Sequence, residues 1–150
     1  MTAIRKTPVA TMVELMGGGN VIPQLVHNEL DLLMVAVKGL SVQALRTLQR
    51  RMQFSNKEIS ELLSISESTL ARREQSKRAL TRDEAEKTIQ LSAVMAKGLE
   101  VFEDEEDFRH WLETDNVALG GIRPKDLLTS AIGRDQVRDL LGRIQYGIYS

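Results

Sequence analysis

The sequence predicts an all-α protein built around a helix-turn-helix. Apolar residues recur every three or four positions through most of residues 23–147, and no stretch alternates with the two-residue period of a strand. Residues 55–77 add two short helical repeats separated by a tight turn. The chain has 150 residues, which suits one domain of ordinary size or two small ones.

The composition excludes several classes of protein. There is no Cys and there are only two His, so disulfides and zinc sites lack their ligands. No apolar run approaches the roughly 20 residues of a membrane span, and the N-terminus lacks the apolar core of a signal peptide. No phosphate loop, nucleophile elbow or metal-ligand spacing occurs. We therefore expect a cytoplasmic protein that is not an enzyme, with no catalytic residue, metal, cofactor or membrane contact.

The small net charge of −1 hides an asymmetry along the chain. Residues 43–80 carry eight Lys/Arg and four Asp/Glu, a balance of +4, whereas residues 81–150 carry nine and fourteen, a balance of −5. The basic excess therefore surrounds the predicted helix-turn-helix, as phosphate binding requires. The excess is modest, so we expect DNA binding as a homodimer or a larger complex.

The first third of the chain is expected to hold a tail and two helices. Pro8 and the glycines at 17–19 predict that residues 1–22 are flexible. Residues 23–38 are predicted to form a helix that begins at Pro23 and ends at Gly39. Ser41 then caps a helix over residues 42–52, whose arginines at 46, 50 and 51 either touch phosphates or are merely solvated. The apolar repeat of the first helix consists of Leu25, Val26, Leu30, Leu33, Met34 and Val37.

Residues 55–77 carry the DNA-binding prediction. Ser55 or Asn56 caps the first helix, residues 64–66 form the turn, and Ser66 caps the second helix. Ser64 stands where glycine is usual in such turns, so it must take a less comfortable backbone angle. The alternative is a helical hairpin inside an all-helical core. The predicted DNA-binding residues are Ser66, Ser68, Thr69, Arg72, Arg73, Lys77 and Arg78, with 68, 69 and 72 reading bases and 73, 77 and 78 holding phosphates.

The last part of the chain is predicted to be helical as well. Thr81 and Glu84 form a capping box for a helix that ends near residue 102, and an acidic run opens a helix over residues 105–113. A loop containing Gly120 and Gly121, a short helix from Pro124 and a final helix from about residue 135 follow. We divide the chain into a flexible segment at 1–22, a DNA-binding domain at 23–80 and a C-terminal domain at 81–150.

The second half resembles the toxin-binding domain of the Xre/MbcA/ParS antitoxins. The matching segments are VFED at 101–104, WL at 111–112, NVALGG at 116–121, PKDLL at 124–128, LLGRI at 140–144, and the glycines at 133 and 147. Upstream, GLS at 39–41, TLARR at 69–73 and LTRDE at 80–84 also fit. Lys125 departs from the pattern, where an apolar or small residue is commoner, and we expect it to affect only the surface.

The resemblance implies a type II antitoxin, with a Cro/Xre-like helix-turn-helix domain followed by a small helical toxin-binding domain. Members of this family bind a cognate RES-domain toxin that consumes NAD, and they repress their own operon by binding operator DNA. The family's toxin-facing part is the C-terminal region. The residues expected to contact the toxin are Arg143, Tyr146, Gly147, Ile148, Tyr149 and Ser150.

Alternatives remain at this point. The C-terminal residues either enter the toxin's active site or fold back on the last helix of their own chain. A stand-alone repressor with a ligand-sensing or oligomerising C-terminal domain is the main rival function, and a polar-localisation protein of the ParS kind is another. A neighbouring gene for a RES-type toxin would favour the antitoxin.

Overall fold

The structure, a computed structural model, describes residues 6–147 and confirms the all-α prediction. Within these residues there is no β-strand, only two isolated bridges, Ser41 with Ala79 and Asn116 with Ile122. The α-helices are α1 (Pro8–Leu15), α2 (Glu29–Lys38), α3 (Val42–Met52), α4 (Asn56–Leu63), α5 (Glu67–Ser76), α6 (Arg82–Val101), α7 (Glu105–Leu112) and α8 (Ala131–Gln145). Short 3-10 turns occupy Gly18–Asn20, Val117–Leu119 and Pro124–Thr129.

The 20-residue helix α6 is the centre of the fold. Helices α1, α2, α3, α4, α7 and α8 all pack against it. Its buried positions include the small residues that allow close approach, namely Ala85, Ser92, Ala93, Ala96 and Gly98. Buried apolar residues from α1 to α8 therefore form one continuous cluster. The predicted domain boundary at residue 80 stays a prediction. The buried core extends across this position.

The N-terminal part differs from its prediction. Pro8 does not interrupt a helix but opens α1, where its missing N–H removes a donor that would have no partner. The Thr7 hydroxyl caps this helix by accepting from the backbone N–H of Ala10 at 3.2 Å. Met12 and Leu15 are 1% exposed and pack against α6. The expectation of a flexible segment is therefore wrong for residues 8–22.

Helix α2 also differs from its prediction, in its start and in its buried face. It begins after Asn28, whose side chain caps it by accepting from the N–H of Asp31 at 2.9 Å, so Pro23 lies in the preceding loop. Its buried residues are Leu32, Val35 and Ala36. Leu30, Met34 and Val37, three members of the predicted apolar repeat, are 65%, 49% and 50% exposed. The helix is apolar around most of its circumference, so periodicity alone could not identify the buried face.

An aromatic cluster packs α7 against the central helix α6. The ring centroid of the buried Phe108 lies 5.7 Å from that of Phe102 and 6.2 Å from that of Trp111. Gly98 of α6 lies directly beneath Phe108, where an added Cβ would stand 2.0 Å from the ring. Helix α8 begins after Ser130, four residues before the predicted start. The close approach at Gly98 fixes α7 against the central helix.

Candidate nucleic-acid interface and C-terminal surface

Helices α4 and α5 form the predicted helix-turn-helix. Ser55 and Glu58 make a reciprocal capping box at the start of α4. Ser64 ends this helix with a φ of 57°, the left-handed angle expected where glycine is usual. The N–H of Ile65 then donates to the carbonyl of Ser60 at 3.0 Å, which closes the turn. Local hydrogen bonds thus set the angle at which α5 leaves α4.

Helix α5 presents most of its surface to solvent. Only Leu70 is buried, and Arg46 of α3 ties the helix to the domain through an ion pair with Glu74 at 2.8 Å. The predicted DNA-binding residues at 66, 68, 72, 77 and 78 are exposed, and Thr69 is half-buried. Thr69, Arg72 and Arg78 line a shallow groove together. The structure therefore gathers most of the predicted DNA-binding residues on one open face.

Four of these residues are linked by local contacts. The Ser66 hydroxyl caps α5 by accepting from the backbone N–H of Thr69 at 3.0 Å. It also lies 3.0 Å from the hydroxyl of Ser68 and 2.8 Å from that of Thr69. The Arg72 guanidinium donates to the Thr69 hydroxyl at 3.2 Å and remains exposed. Arg72 is thus oriented along the outer face of α5 and keeps further donors for a base or a phosphate.

Arg73, predicted to hold a phosphate, also makes a contact that the sequence did not predict. Its guanidinium donates to both carboxylate oxygens of Glu84, at 3.1 and 3.2 Å. The Glu84 residue is 3% exposed and also accepts from the backbone N–H of Thr81. Burial raises the pKa of Glu84, but the hydrogen bonds from Arg73 and Thr81 outweigh it and hold the pKa below its ordinary value. Arg73 therefore joins α5 to α6.

Two of the three arginines of α3 form ion pairs within the chain. Arg46 binds Glu74, as described, and Arg51 forms an ion pair with Glu105 at the start of α7. Arg50 is exposed and makes no ion pair with any described residue. Arg51 thereby links the helix-turn-helix half to the C-terminal half.

Lys125 is not the surface detail that was expected. Its side chain is 11% exposed, and its ammonium binds the carboxylates of Glu58 and Glu113. It also lies 4.9 Å from the ring centroid of Phe54. Burial lowers the pKa of Lys125, but donation to Glu113 and Glu58 outweighs it and holds the pKa above its ordinary value. Since Glu58 belongs to the capping box of α4, this lysine connects the C-terminal region to the helix-turn-helix.

The predicted toxin-contacting residues lie at the end of α8 and beyond. Tyr146 is 75% exposed, and the Lys97 ammonium stands 5.9 Å from its ring centroid. Arg143 and Gly147 are exposed as well. Ile148, Tyr149 and Ser150 lie outside the described residues. The described part of the tail thus offers an aromatic and a cationic group to a partner.

Sequence reasoning missed three exposed apolar residues in this half of the chain. Val117 is 94% exposed, Ile132 is 77% exposed and Ile122 is 44% exposed. Val117 and Ile122 stand on a loop organised by Asn116, whose side chain accepts from the N–H of Ala118 at 2.9 Å. The sequence did contain a signal for Val117 and Ile122, because apolar residues in a glycine-rich loop have no helix face to bury them.

No group of His, Asp and Glu within residues 6–147 is suited to hold a metal ion. None of the helices described here is both long and apolar enough to cross a bilayer.

Comparisons with known proteins agree with this geometry. Residues 97–147 match the model of the antitoxin Xre/MbcA/ParS C-terminal toxin-binding domain, and residues 31–92 match that of the antitoxin Xre-like helix-turn-helix domain. The protein "Antitoxin Xre" of Photorhabdus laumondii subsp. laumondii is 27% identical over 114 residues, which cover 75% of this chain and 77% of that protein.

A solved structure has a similar fold. A chain in the crystal structure of the M. tuberculosis MbcT–MbcA toxin–antitoxin complex superposes with a TM-score of 0.52 and 18% identity. The match covers 83% of the present chain and all of that chain. At this identity the likeness concerns the fold alone.

Proposed function

Because the chain belongs to the Xre/MbcA/ParS antitoxins, we propose that it neutralises a cognate RES-domain, NAD-consuming toxin and represses its own operon. In this proposal a homodimer, alone or within a larger toxin–antitoxin complex, binds the operator through α5, and the C-terminal region covers the toxin. No part of the proposal requires the chain to be an enzyme.

The open face of α5 carries the DNA-binding half of the proposal. A recognition helix needs a buried side that holds it and an outer side that reaches base edges. Leu70 and the Arg73–Glu84 pair supply the first, and Ser68, Thr69 and Arg72 supply the second. Lys77 and Arg78, just past the helix, are exposed cations in position for the phosphate backbone.

The exposed apolar residues of the C-terminal region support the toxin-binding half. They fall within or close to the stretch that matches the toxin-binding family model. Large exposed apolar side chains such as Val117, Ile132 and Tyr146 are typical anchors of a protein interface. In the proposed complex, the tail from Arg143 to Ser150 fills the toxin's NAD cleft, with the aromatics in its apolar part.

Operator binding is tested by titrating DNA from upstream of the gene. Arg72→Ala should weaken specific binding by about 1–3 kcal/mol, roughly 5- to 150-fold. Lys77→Ala should weaken binding to all sequences and reduce the salt slope by about one. Arg123→Ala, a surface arginine paired with the nearby Asp126 in the C-terminal region, is the matched control and should bind like the wild type. An Arg72→Ala protein with wild-type affinity would exclude α5 as the reading helix.

Toxin binding is tested by measuring NAD consumption by a purified cognate RES-type toxin. Full-length protein should inhibit it, and a chain lacking residues 146–150 should inhibit poorly while still binding the operator. Val117→Asp tests whether the loop also contributes. If both chains inhibit equally, the tail does not block the active site. Operator binding without any effect on the toxin would favour the stand-alone repressor.

A further inference from the structure

A cleft of about 380 Å³ lies where α1, α2, α6 and α8 meet. Its floor is apolar, because Met12, Ala93 and Val94 line it and are only 1%, 7% and 2% exposed. The half-buried side chains of Leu33 and Ile89 form apolar walls. None of the described residues that we assign to DNA or toxin binding lines this cleft. A mostly apolar cleft of this size is the usual form of a small-molecule site.

One buried cation, Arg134 of α8, also lines the cleft. The residue is 6% exposed. Its Nε donates to the side-chain oxygen of Gln90 at 2.9 Å, and its Nη1 donates to the carbonyl of Leu128 at 3.0 Å. Its Nη2 makes no hydrogen bond within residues 6–147, and solvent can reach this atom. An arginine buried to this degree is normally paired with a carboxylate, because a buried charge without a counterion is costly.

The surroundings of Arg134 are short of negative charge. Its guanidinium forms no ion pair with a carboxylate of the described chain. Asp135 and Asp83 raise its pKa from a longer distance, but burial outweighs them and holds the pKa of Arg134 below its ordinary value. The guanidinium nevertheless stays protonated at neutral pH. An anion that entered the cleft would therefore supply the missing charge and accept from Nη2.

The acidic residues of the cleft limit the charge that such an anion can carry. Glu29, Glu86 and Asp135 line the cleft as well. Glu29 is paired with Arg138 at 2.9 Å, Glu86 lies 3.5 Å from Arg82, and Asp135 is exposed. A nucleotide or another polyanion would bring further negative charges close to these carboxylates, which is unfavourable. A single carboxylate pairs with the buried guanidinium and leaves the rest of the ligand to the apolar floor.

We propose that this cleft binds a small aliphatic monocarboxylate. The carboxylate accepts from Nη2 of Arg134, and the hydrocarbon chain covers Ala93 and Val94. This site goes beyond the proposed function and does not depend on it, because neither the face of α5 nor the described part of the tail takes part. The ligand contacts α2, α6 and α8 together, so its binding favours the folded state and raises the Tm.

The probe for this site is hexanoate, titrated into the isotope-labelled full-length chain and followed by amide shifts in NMR spectra. We expect saturable shifts at Ile89, Val94 and Arg134. Hexanol lacks the charge and adipate carries a second carboxylate, so each should bind at least about 10-fold more weakly than hexanoate. Equal binding of hexanol would overturn the proposal, because the guanidinium would not then recognise the ligand. The absence of saturable shifts, or shifts confined to another surface, would overturn it too.

Two variants test the site from its polar and its apolar side. Arg134→Gln should weaken hexanoate binding at least about 10-fold, whereas Arg123→Gln, which removes a surface arginine outside the cleft, should bind like the wild type. Because Arg134 also holds the carbonyl of Leu128, a second variant keeps this arginine in place. Leu33→Glu puts a carboxylate on the half-buried wall and should weaken binding about 10-fold. Circular dichroism checks the helix content of each variant, and wild-type affinity in either folded variant would contradict the assigned site.

Discussion

Removing the Arg73 side chain should destabilise the fold rather than only weaken DNA binding. Arg73→Ala leaves the buried Glu84 carboxylate with the backbone N–H of Thr81 and without its two guanidinium donors. Breaking a fully buried pair costs about 3–5 kcal/mol, and the 29% exposure of the Arg73 side chain lowers this to about 2 kcal/mol. For a chain of this size, that corresponds to a loss of about 4–8 °C in Tm.

The effect should depend on pH. In the wild type the pKa of Glu84 is held below its ordinary value of 4.5, so its stabilisation is complete above that value and is lost as the pH falls through the lowered pKa. Without Arg73, fewer hydrogen bonds oppose the effect of burial on Glu84. The pKa of Glu84 therefore rises, and the folded state binds a proton at this carboxylate more readily. The difference in stability between wild type and variant should therefore be largest at neutral pH and shrink towards pH 4.

The assay is thermal unfolding of a double-mutant cycle at neutral and acidic pH. Glu84→Gln in the Arg73→Ala background removes the unpaired charge, so the double variant should recover about 1 kcal/mol. Arg82→Ala removes an exposed arginine, 64% accessible and 3.5 Å from Glu86, and should change stability by less than about 0.5 kcal/mol. An Arg73→Ala protein with wild-type Tm and weakened operator binding would refute this reasoning and restore the phosphate contact.

Three further predictions concern packing and backbone. Gly98→Ala should destabilise the fold by about 1–2 kcal/mol, because overpacking against the buried ring of Phe108 exceeds the gain in helix propensity. Gly142→Ala, whose added Cβ would meet nothing closer than 3.9 Å, should stabilise the fold, and thermal melts compare the two variants. Leu15→Ala should cost about 2–5 kcal/mol in urea unfolding, while an unaffected midpoint would mean that α1 does not pack on the core. Ser64→Gly should add about 0.5–1 kcal/mol by relieving the left-handed angle, and a lower Tm would contradict this.

The candidate DNA-binding site was largely predictable from the sequence. Ser66, Ser68, Thr69 and Arg72 lie within seven residues of one another, so their common face follows from helix geometry alone. The ion pair of Arg73 was not predicted, because its partner Glu84 lies eleven residues away, on another helix. The same limit applies to Lys125, which binds Glu58 on a helix far earlier in the chain. Ion pairs between distant segments leave no periodic signal in a sequence.

The sequence by itself determined the local features of this protein. The caps at Ser55, Ser66 and Thr81 were predictable because each joins atoms only three residues apart. The resemblance to the antitoxin family followed from ordered motifs along the chain, and the family models match residues 31–92 and 97–147. These features depend on neighbouring residues, so they need no knowledge of how the helices pack.

Tertiary structure decided which surfaces are buried. Residues 8–22 fold because α6 offers an apolar surface to Met12 and Leu15, a surface that the N-terminal sequence does not contain. Helix α2 is apolar on both sides, and only the position of α6 selects Leu32 and Val35 for the core. Burial is a property of two surfaces in contact, so it is settled only when the partner surface is in place.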